Sequence, residues 1–313
     1  MTRLLHLGNV VVDLVLNVPY LPERGADVLA AATRVSPGGG FNVLAAAARQ
    51  GLPAAYAGAH GRGPFADLAR AALAAEGIEV LLPPRPGPDT GVVVAIVEPA
   101  GERTFLTAPG AEATLTAADL AAVRPAPGDV IYLSGYSFLH ADNRAALLAW
   151  LGHLGGPGDP GDPGDPASMV VFDPGPLADQ IPPTALAAVL RRADWLTCNA
   201  REATILSGQS DPLAATRVLA GRPRGVIVRT GPAGCFLSVG GGEPVLVPGF
   251  AVPAIDTNGA GDTHAGVFIA ALARGAAPPE AARLANAAAA LSVTRPGPAT
   301  APTASELARF LAG

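Results

Sequence analysis

The segment from 256 to 263 reads Asp-Thr-Asn-Gly-Ala-Gly-Asp-Thr and could hold an anion beside a carboxylate. It follows an apolar stretch and opens a helix that we predict to begin near 261. Its two glycines, Gly259 and Gly261, permit backbone conformations and close approaches that side chains would forbid. Several N–H groups can then converge at the positive end of the helix, which stabilises a phosphate or a developing oxyanion. The segment is therefore a candidate anion hole.

Asp262 stands in the first turn of the same helix, where the helix dipole favours its ionised form. A carboxylate beside an anion hole is useful if it deprotonates a neutral alcohol while the N–H groups hold the group being transferred. An aspartate in this place can also do no more than cap the helix. The local pattern alone leaves both interpretations open.

Alternating strands and helices are predicted to position this segment. From residue 130 onward, short apolar runs alternate with helical stretches, which favours a parallel sheet with helices on both faces and a ligand site beyond the carboxyl ends of the strands. The strands are predicted at 130–134, 169–172, 194–198 and 225–229, and the helices near 142–154, 184–192, 200–220, 261–274, 278–293 and 304–312. Strands at 10–16 and 27–35 and a hairpin of 91–97 with 103–108 could pair outside this sheet.

The composition excludes several classes of protein. The 313 residues include no lysine, because all 21 basic residues are arginine, and this removes P-loop, Schiff-base and protein-kinase lysines. A net charge of −5 without a basic run argues against a nucleic-acid groove, and no apolar run reaches membrane-spanning length. Cys198 and Cys235 lie in apolar segments without metal-ligand spacing, so we expect buried thiols and a cytoplasmic location.

Residues 155–166 interrupt the alternation of strands and helices with a repeat of Gly-Asp-Pro. The repeat has neither helical nor strand periodicity, and its composition cannot pack into a core. We therefore predict a low-complexity surface loop with no role in function.

Two glycine-rich motifs, in this order, resemble those of the ribokinase-like carbohydrate kinases, the PfkB family. The first runs from Gly38 to Asn42 with the Ala-rich stretch to Gly51, and the second is the segment from 256 to 263 with Gly266. The resemblance covers nearly the whole chain, because the segments 8–13, 199–202, 230–234 and 294–297 also fall where the family has motifs. It implies one ribokinase-like α/β domain over 1–313, with a mostly parallel central sheet, helices on both faces, and a small β lid from about 10–35 and 90–110.

The resemblance assigns roles to the residues that match each motif. It implies that Asp262 is the general base for a sugar hydroxyl and that transfer is direct and in line. It also implies that the amides of Gly259, Ala260 and Gly261 hold the γ-phosphate. The positions that match sugar-binding residues are Asp13, Gly39, Gly40 and Asn42. Carboxylates and carboxamides suit sugar hydroxyls, although Asp13 can also be read as a turn residue that closes a strand.

The resemblance implies ATP and Mg2+ as cofactors. The matching nucleotide positions are Asn199, Thr230, Gly231, Gly234 and Asn286, and Glu202 matches a position that acts on Mg2+ through water. Asn199-x-x-Glu202 is also a capping box and Thr230 to Gly234 is also an ordinary tight turn, so structural roles stay open for both. Many members hold a monovalent cation beside the anion hole, and the candidate ligands for K+ here are Asp256, Asn258, Arg295 and Gly297.

Three positions depart from ribokinases proper. Pro37 stands where they often have a glycine, and Val11 stands where they often have a polar sugar contact. The segment 134–136 lacks the acidic residue that they have near the sugar, and its Tyr136 offers an aromatic surface instead. We therefore predict phosphorylation of a hydroxyl of a sugar or sugar-like molecule and leave the sugar open. A nucleoside stacked on Tyr136, or a vitamin precursor, stays an alternative substrate.

Two other functions compete with this prediction. A noncatalytic sugar or nucleotide sensor would need neither Asp262 nor Glu202. A dinucleotide-dependent oxidoreductase is disfavoured, because Val43 occupies the place of the third glycine of its fingerprint. We also expect a homodimer, since an exposed lid sheet could pair with a second subunit.

Overall fold

The computed structural model describes residues 2–99, 101–154, 168–221 and 223–313, so the loop predicted at 155–166 lies outside the described residues. The strands are β1 (Leu4–His6), β2 (Val10–Asn17), β3 (Ala32–Gly39), β4 (Ala54–Tyr56), β5 (Glu79–Val80), β6 (Val92–Val97), β7 (Arg103–Ala108), β8 (Val130–Ser134), β9 (Met169–Asp173), β10 (Trp195–Asn199), β11 (Gly225–Arg229), β12 (Gly234–Val239) and β13 (Val245–Pro248). The α-helices are α1 (Gly40–Arg49), α2 (Pro64–Ala75), α3 (Ala117–Ala121), α4 (Ala141–Leu151), α5 (Pro183–Arg192), α6 (Ala200–Ser207), α7 (Pro212–Leu219), α8 (Ala260–Ala273), α9 (Pro278–Ser292) and α10 (Ala304–Ala312). Across these described ranges, no helix has the length and apolarity needed to cross a membrane.

The larger sheet has the strand order β13-β12-β11-β10-β9-β8-β1-β4-β5. Neighbouring strands run parallel from β11 to β5, and only β12 and β13 add antiparallel pairs at one edge of the described sheet. Side chains of a strand alternate between the two faces. Ile131 accordingly joins a core with α3 to α7, whereas Tyr132 joins a core with α1, α2, α8 and α9. The predicted parallel sheet with helices on both faces is confirmed.

The smaller sheet is separate and has the order β3-β2-β6-β7, which confirms the predicted second sheet. The strand predicted at 27–35 was placed too early, because β3 covers Ala32–Gly39. It pairs with the full length of β2, from Asn17 opposite Ala32 to Val10 opposite Gly39, and β2 ends before it could pair with residues 27–30. Pro37 is tolerated in β3 because an edge strand can lack one N–H group.

The helix predicted near 200–220 is two helices, α6 and α7. Gly208 ends α6 in the left-handed conformation, with φ +73°. Asp211 then begins α7 by accepting a hydrogen bond of 2.8 Å from the N–H of Ala214, and Pro212 follows at the first helical position. Glycine and a new cap therefore divide a stretch whose apolar pattern is continuous.

The two motif helices, α1 and α8, pack with their backbones almost in contact. A Cβ atom on Gly266 of α8 would lie 2.5 Å from the carbonyl oxygen of Val43 and 2.7 Å from the Cβ of Ala46, both in α1. Only glycine permits this approach. The packing places the start of α1, with Asn42, beside the start of α8, with Asp262.

Candidate active site

The segment that precedes α8 forms a turn that requires glycine at its last residue. Gly259 has φ +74°, and a Cβ atom there would lie 1.9 Å from the carbonyl oxygen of Pro298. The N–H of Ala260 makes only a long contact of 3.4 Å with Thr257 O, and N–H groups in a first helical turn lack partners within the helix. The start of α8, with Gly261 in its first turn, can therefore direct backbone N–H groups at a ligand.

Asp262 lies in the first turn of α8 and accepts a hydrogen bond of 2.9 Å from Nδ2 of Asn42 on its Oδ2 atom. Burial raises the pKa of Asp262 to about 6, and the charge of Asp173 adds to the rise, whereas the bond from Asn42 and the guanidinium of Arg229 oppose it. The carboxyl group is thus ionised at neutral pH. A pKa near neutrality suits a group that accepts a proton during a reaction.

Two cavities meet at the start of α8. The polar cavity, of about 330 Å³, contains Asp262 in its wall, and the apolar cavity, of about 490 Å³, contains Ala260. Asn199, Arg229 and Gly261 line both cavities. A group that passed from one cavity to the other would cross the N-terminus of α8.

Four of the five predicted sugar-binding residues line the polar cavity or bond to its wall. Gly39, Gly40 and Tyr136 line it, and Asn42 reaches it through its bond to Asp262. Asp13 lines neither cavity in the described structure. Burial raises the pKa of Asp13 to about 7, and the negative charge of Asp262 contributes to the rise.

Some of the predicted nucleotide-binding residues line the apolar cavity, and Thr230 stabilises a turn that forms part of its wall. Gly231, Gly234 and Asn286 line the apolar cavity, whereas Thr230 does not in the structure described here. The backbone N–H and the hydroxyl of Thr230 both donate to the carbonyl oxygen of Gly234, at 2.8 and 3.0 Å. Thr230 therefore closes the turn that carries the two glycines.

Asn286 is a buried polar residue on the Ala-rich helix α9. Its Nδ2 donates to the carbonyl oxygens of Val247 and Pro248, at 3.0 and 3.1 Å, and its Oδ1 lies 3.1 Å from Nε2 of His264. These bonds join α9 to β13 and α8 behind the apolar cavity. Asn286 thus has a structural role beside its place in the cavity wall.

Asn199 and Glu202 form the capping box that their spacing predicts. Asn199 Oδ1 accepts the N–H of Glu202 at 2.9 Å, and Glu202 Oε2 accepts the N–H of Asn199 at 2.7 Å. Glu202 also lines the polar cavity. Burial and the charge of Asp173 raise the pKa of Glu202 to about 7, although Arg229 lies 3.6 Å away. The capping role therefore coexists with a position in the site.

Arg229 and Asp173 line the polar cavity and were not among the predicted site residues. Nη2 of Arg229 lies 3.1 Å from Oδ2 of Asp173, and its Nη1 donates to Oγ1 of Thr197 at 2.6 Å. Both residues are the last of their strands, β11 and β9. Their charge at the carboxyl ends of parallel strands was the sequence signal that could have identified them.

The candidate ligands of a monovalent cation already contact other groups of the protein. Asp256 is bonded by Arg103, whose Nη2 lies 2.7 Å from Oδ1, and it also accepts the N–H groups of Asn258 and Gly297 at 2.9 Å each. The Arg295 side chain pairs with Glu306 of α10, at 2.7 Å. Of the four candidates, Asn258 lines the polar cavity, and Asp256, Arg295 and Gly297 line neither of the two cavities described above.

Comparison with known proteins gives consistent matches along the chain. Residues 1–304 match the model of the pfkB family carbohydrate kinase. The uncharacterized sugar kinase YegV of Escherichia coli (strain K12) is 32% identical over 308 residues, which cover 96% of this chain and 91% of that protein. The crystal structure of ribokinase from Thermotoga maritima matches with a TM-score of 0.81 and 27% identity over 100% of both chains. A putative ribokinase II from E. coli, in complex with ATP and Mg2+, matches with a TM-score of 0.82 and 22% identity over 100% of this chain and 99% of that one.

Proposed function

The chain belongs to the PfkB family of carbohydrate kinases, as the sequence motifs predicted, and we propose that it transfers the γ-phosphoryl group of ATP directly to a hydroxyl group of a neutral sugar. The observation that carries the proposal is the placement of Asp262, which is bonded to Asn42, lines the polar cavity, and adjoins Gly261 where the two cavities meet. In this proposal Asp262 is the general base.

The proposed transfer uses both cavities. The acceptor hydroxyl lies in the polar cavity, and its proton passes to Asp262 as its oxygen forms a bond with the γ-phosphorus. The bond from the γ-phosphorus to the β-phosphate oxygen breaks, and ADP remains on the side of the apolar cavity. The amides of Gly259, Ala260 and Gly261 stabilise the charge on the transferring group. The small sheet acts as a lid that excludes water from the phosphoryl group.

We propose that ATP binds in the apolar cavity, because its apolar walls can pack against the adenine ring and its inner end can bind the phosphates. Phe250, Val252 and Val293 line the cavity together with the Gly231 turn, and it ends at Gly261 in the first turn of α8. The putative ribokinase II from E. coli, which has the same fold, was solved in complex with ATP and Mg2+, and we propose the same nucleotide and metal here.

Mg2+ fits this site as an ion held mostly by phosphates and water. The described residues contain no cluster of three or more His, Cys, Asp or Glu side chains that could hold a metal ion. Mg2+ typically keeps several waters and uses one or two carboxylates with the substrate phosphates. Glu202 and Asp173, in the wall of the polar cavity, are the carboxylates that would hold its waters. The ion would neutralise charge on the triphosphate.

The charges of the polar cavity favour a neutral acceptor. Asp173, Glu202 and Asp262 lie in its wall, and the guanidinium of Arg229 is already paired with Asp173 and Glu202. A sugar phosphate or sugar acid would meet net negative charge there, so we propose a neutral sugar. A nucleoside is the second candidate, because the half-buried ring of Tyr136 lines the same cavity and could stack on a base.

A coupled ADP-release screen over neutral sugars, sugar acids, sugar phosphates and nucleosides tests the substrate class. We expect the highest kcat/KM for a neutral sugar. Turnover confined to nucleosides would support the second candidate, and turnover confined to anionic sugars would refute the charge argument. ATP binding without turnover on any acceptor would instead support a sensor.

Substitution of Asp262 tests its role as the base. We expect Asp262→Asn to lower kcat by about 10²- to 10⁴-fold, the range for general-base catalysis, while ATP affinity stays nearly unchanged. Asp142→Asn is the matched control, because Asp142 also stands in the first turn of a helix, α4, but lines neither cavity in the described structure. Near-normal turnover of Asp262→Asn would leave that residue with a structural role only, through its bond to Asn42.

We also propose a homodimer through the lid. Phe105 and Leu106 are 54% and 55% exposed on β7, an edge strand of the smaller sheet. An exposed apolar edge strand can pair with a second subunit. Sedimentation velocity measures the assembly, and the mass of a single chain at micromolar concentration would contradict the proposal. The cytoplasmic location stays a prediction, in keeping with buried and unbridged Cys198 and Cys235.

A further inference from the structure

The carboxylate of Asp256, just before the anion hole, is held by two arginines that come from the lid. Arg103, at the start of β7, places Nη2 at 2.7 Å from Oδ1 of Asp256 and Nη1 at 3.3 Å from Oγ1 of Thr257. Arg34, in β3, places Nη2 at 3.7 Å from Oδ2 of Asp256. Strands from opposite edges of the smaller sheet therefore converge on one side chain.

The same carboxylate offers a metal ion no acceptor position that is away from an N–H donor or a guanidinium group. Its Oδ1 also accepts the N–H of Asn258 at 2.9 Å, and its Oδ2 accepts the N–H of Gly297 at 2.9 Å. A carboxylate has about four lone-pair positions, and here three donors fill three of them, while the fourth, on Oδ2, faces the guanidinium of Arg34 at the ion-pair distance of 3.7 Å. The guanidinium of Arg34 also covers Gly297, since a Cβ atom there would lie 3.4 Å from its Nη1.

These contacts do not fit the monovalent cation that the resemblance led us to expect. A potassium ion next to Asp256 would displace one of the N–H donors or lie against two permanently charged guanidinium groups. Like charges at such distances repel, and an arginine cannot lose its proton to relieve the repulsion.

We propose that Arg34 and Arg103 take the place of a monovalent cation in this enzyme and act as positioning residues through Asp256. Together with Asp256 they form what we call the lid latch. The arginines neutralise the carboxylate that would otherwise repel a triphosphate, and they fix the turn that directs the N–H groups of Gly259 and Gly261. Because both arginines belong to the lid, the latch also couples the position of the lid to the order of the anion hole.

The inference rests on the proposed function, since it requires that a triphosphate binds at this turn. It predicts that nucleotide binding does not depend on K+ in the native enzyme. It also predicts that loss of the arginines creates a cation requirement, because Asp256 would then have free acceptor positions beside the anion hole.

The experiment measures the Kd of adenylyl imidodiphosphate with Mg2+ in chloride salts of K+, Na+ or tetramethylammonium at one ionic strength. We expect the wild type to give the same Kd in all three salts. In a variant with Arg34→Gln and Arg103→Gln, we expect weaker binding in tetramethylammonium and a recovery of about fivefold or more in K+, the lower range of coupling between two sites. K+ should also raise the Tm of this variant and not that of the wild type.

Two further variants separate charge from packing. Arg103→Lys keeps the positive charge, so the Kd of this variant for the ATP analogue should not depend on K+. Arg85→Gln removes an ion pair with Asp119, outside both cavities, and should also leave the salt dependence unchanged. Tighter binding of the analogue to the wild type in K+ would refute the latch, and so would a double variant that binds equally in all salts. A wild type that binds no analogue in any salt would refute the proposed function itself.

Discussion

The hydrogen bond from Asn42 to Asp262 should lower the pH at which the enzyme loses activity. In the Asn42→Ala variant the bond of 2.9 Å is lost, while burial and the charge of Asp173 continue to raise the pKa of Asp262. A hydrogen bond to a charged group contributes about 1.5 to 3 kcal/mol, and one pKa unit corresponds to about 1.4 kcal/mol. The pKa of Asp262 should therefore rise from about 6 by roughly one to two units.

The sign of this effect follows from the role of a base. Asp262 must be ionised to accept a proton, so activity falls as the pH drops through its pKa. If Asn42→Ala raises that pKa, the fall begins at a higher pH, roughly pH 7 to 8. If the protonated form were the active one, activity would instead fall as the pH rises, and the variant would lose activity on the alkaline side of its profile.

The assay measures kcat/KM for the sugar against pH from about 5 to 9 at saturating ATP. This profile reports the pKa values of the enzyme–ATP complex before the sugar binds. The height of the profile should also fall, because Asn42 is a proposed sugar ligand, so the position of the acidic limb is the readout. Asn143→Ala is the matched control. It removes another buried asparagine, bonded to Leu115 and Glu112 away from both cavities, and should leave the limb in place. If the acidic limb of the Asn42→Ala profile lay at the same pH as that of the wild type, the reasoning would be refuted.

Two further predictions concern the metal and the anion hole. Glu202→Gln should raise the Mg2+ concentration needed for half-maximal activity, because glutamine keeps the helix cap but loses the charge; Glu306→Gln alters an equivalent capping box in α10 and should leave the magnesium titration unchanged. Gly259→Ala should lower kcat by about 10²- to 10³-fold, the effect of losing an oxyanion donor, since its Cβ would lie 1.9 Å from Pro298 O and the turn must move. Circular dichroism should show a folded protein in both cases, and a normal kcat for Gly259→Ala would contradict an anion hole at this turn.

The sequence could predict those parts of the site whose geometry is local. The turn at 256–263 needs glycine at a positive φ angle and a first helical turn with an aspartate, and both are visible as residue types at fixed spacing. The Asn199 and Glu202 capping box is equally local, since its two bonds span three residues. The alternation of strands and helices from residue 130 onward likewise predicted the parallel sheet.

Contacts between distant segments could not be read in this way. Arg229 meets Asp173 only because β11 and β9 both end at the same edge of the sheet, 56 residues apart in sequence. The lid latch depends on how the smaller sheet packs on the turn before α8, with Arg103 and Asp256 153 residues apart. The start of β3 was missed for a related reason, because its length is set by the partner strand β2 and not by its own apolar pattern.

The absence of lysine gives the pH profile a simple interpretation. Apart from His264, the basic side chain that lines the two cavities is that of Arg229, and an arginine stays charged at all pH values of the assay. The buried histidines stay neutral, because burial lowers the pKa of His264 to about 3 and that of His6 to about 4.

The groups of the described site that titrate between about pH 5 and 8 are therefore carboxyl groups. Burial, with neighbouring carboxylates, gives Asp13 and Glu202 pKa values of about 7 and Asp262 a value of about 6. Because these groups interact, the limb of the wild-type profile belongs to the cluster as a whole and does not identify one residue. Asn42 bonds to Asp262 and to neither of the other two in the described structure, so an upward shift in Asn42→Ala is what would assign the limb to Asp262.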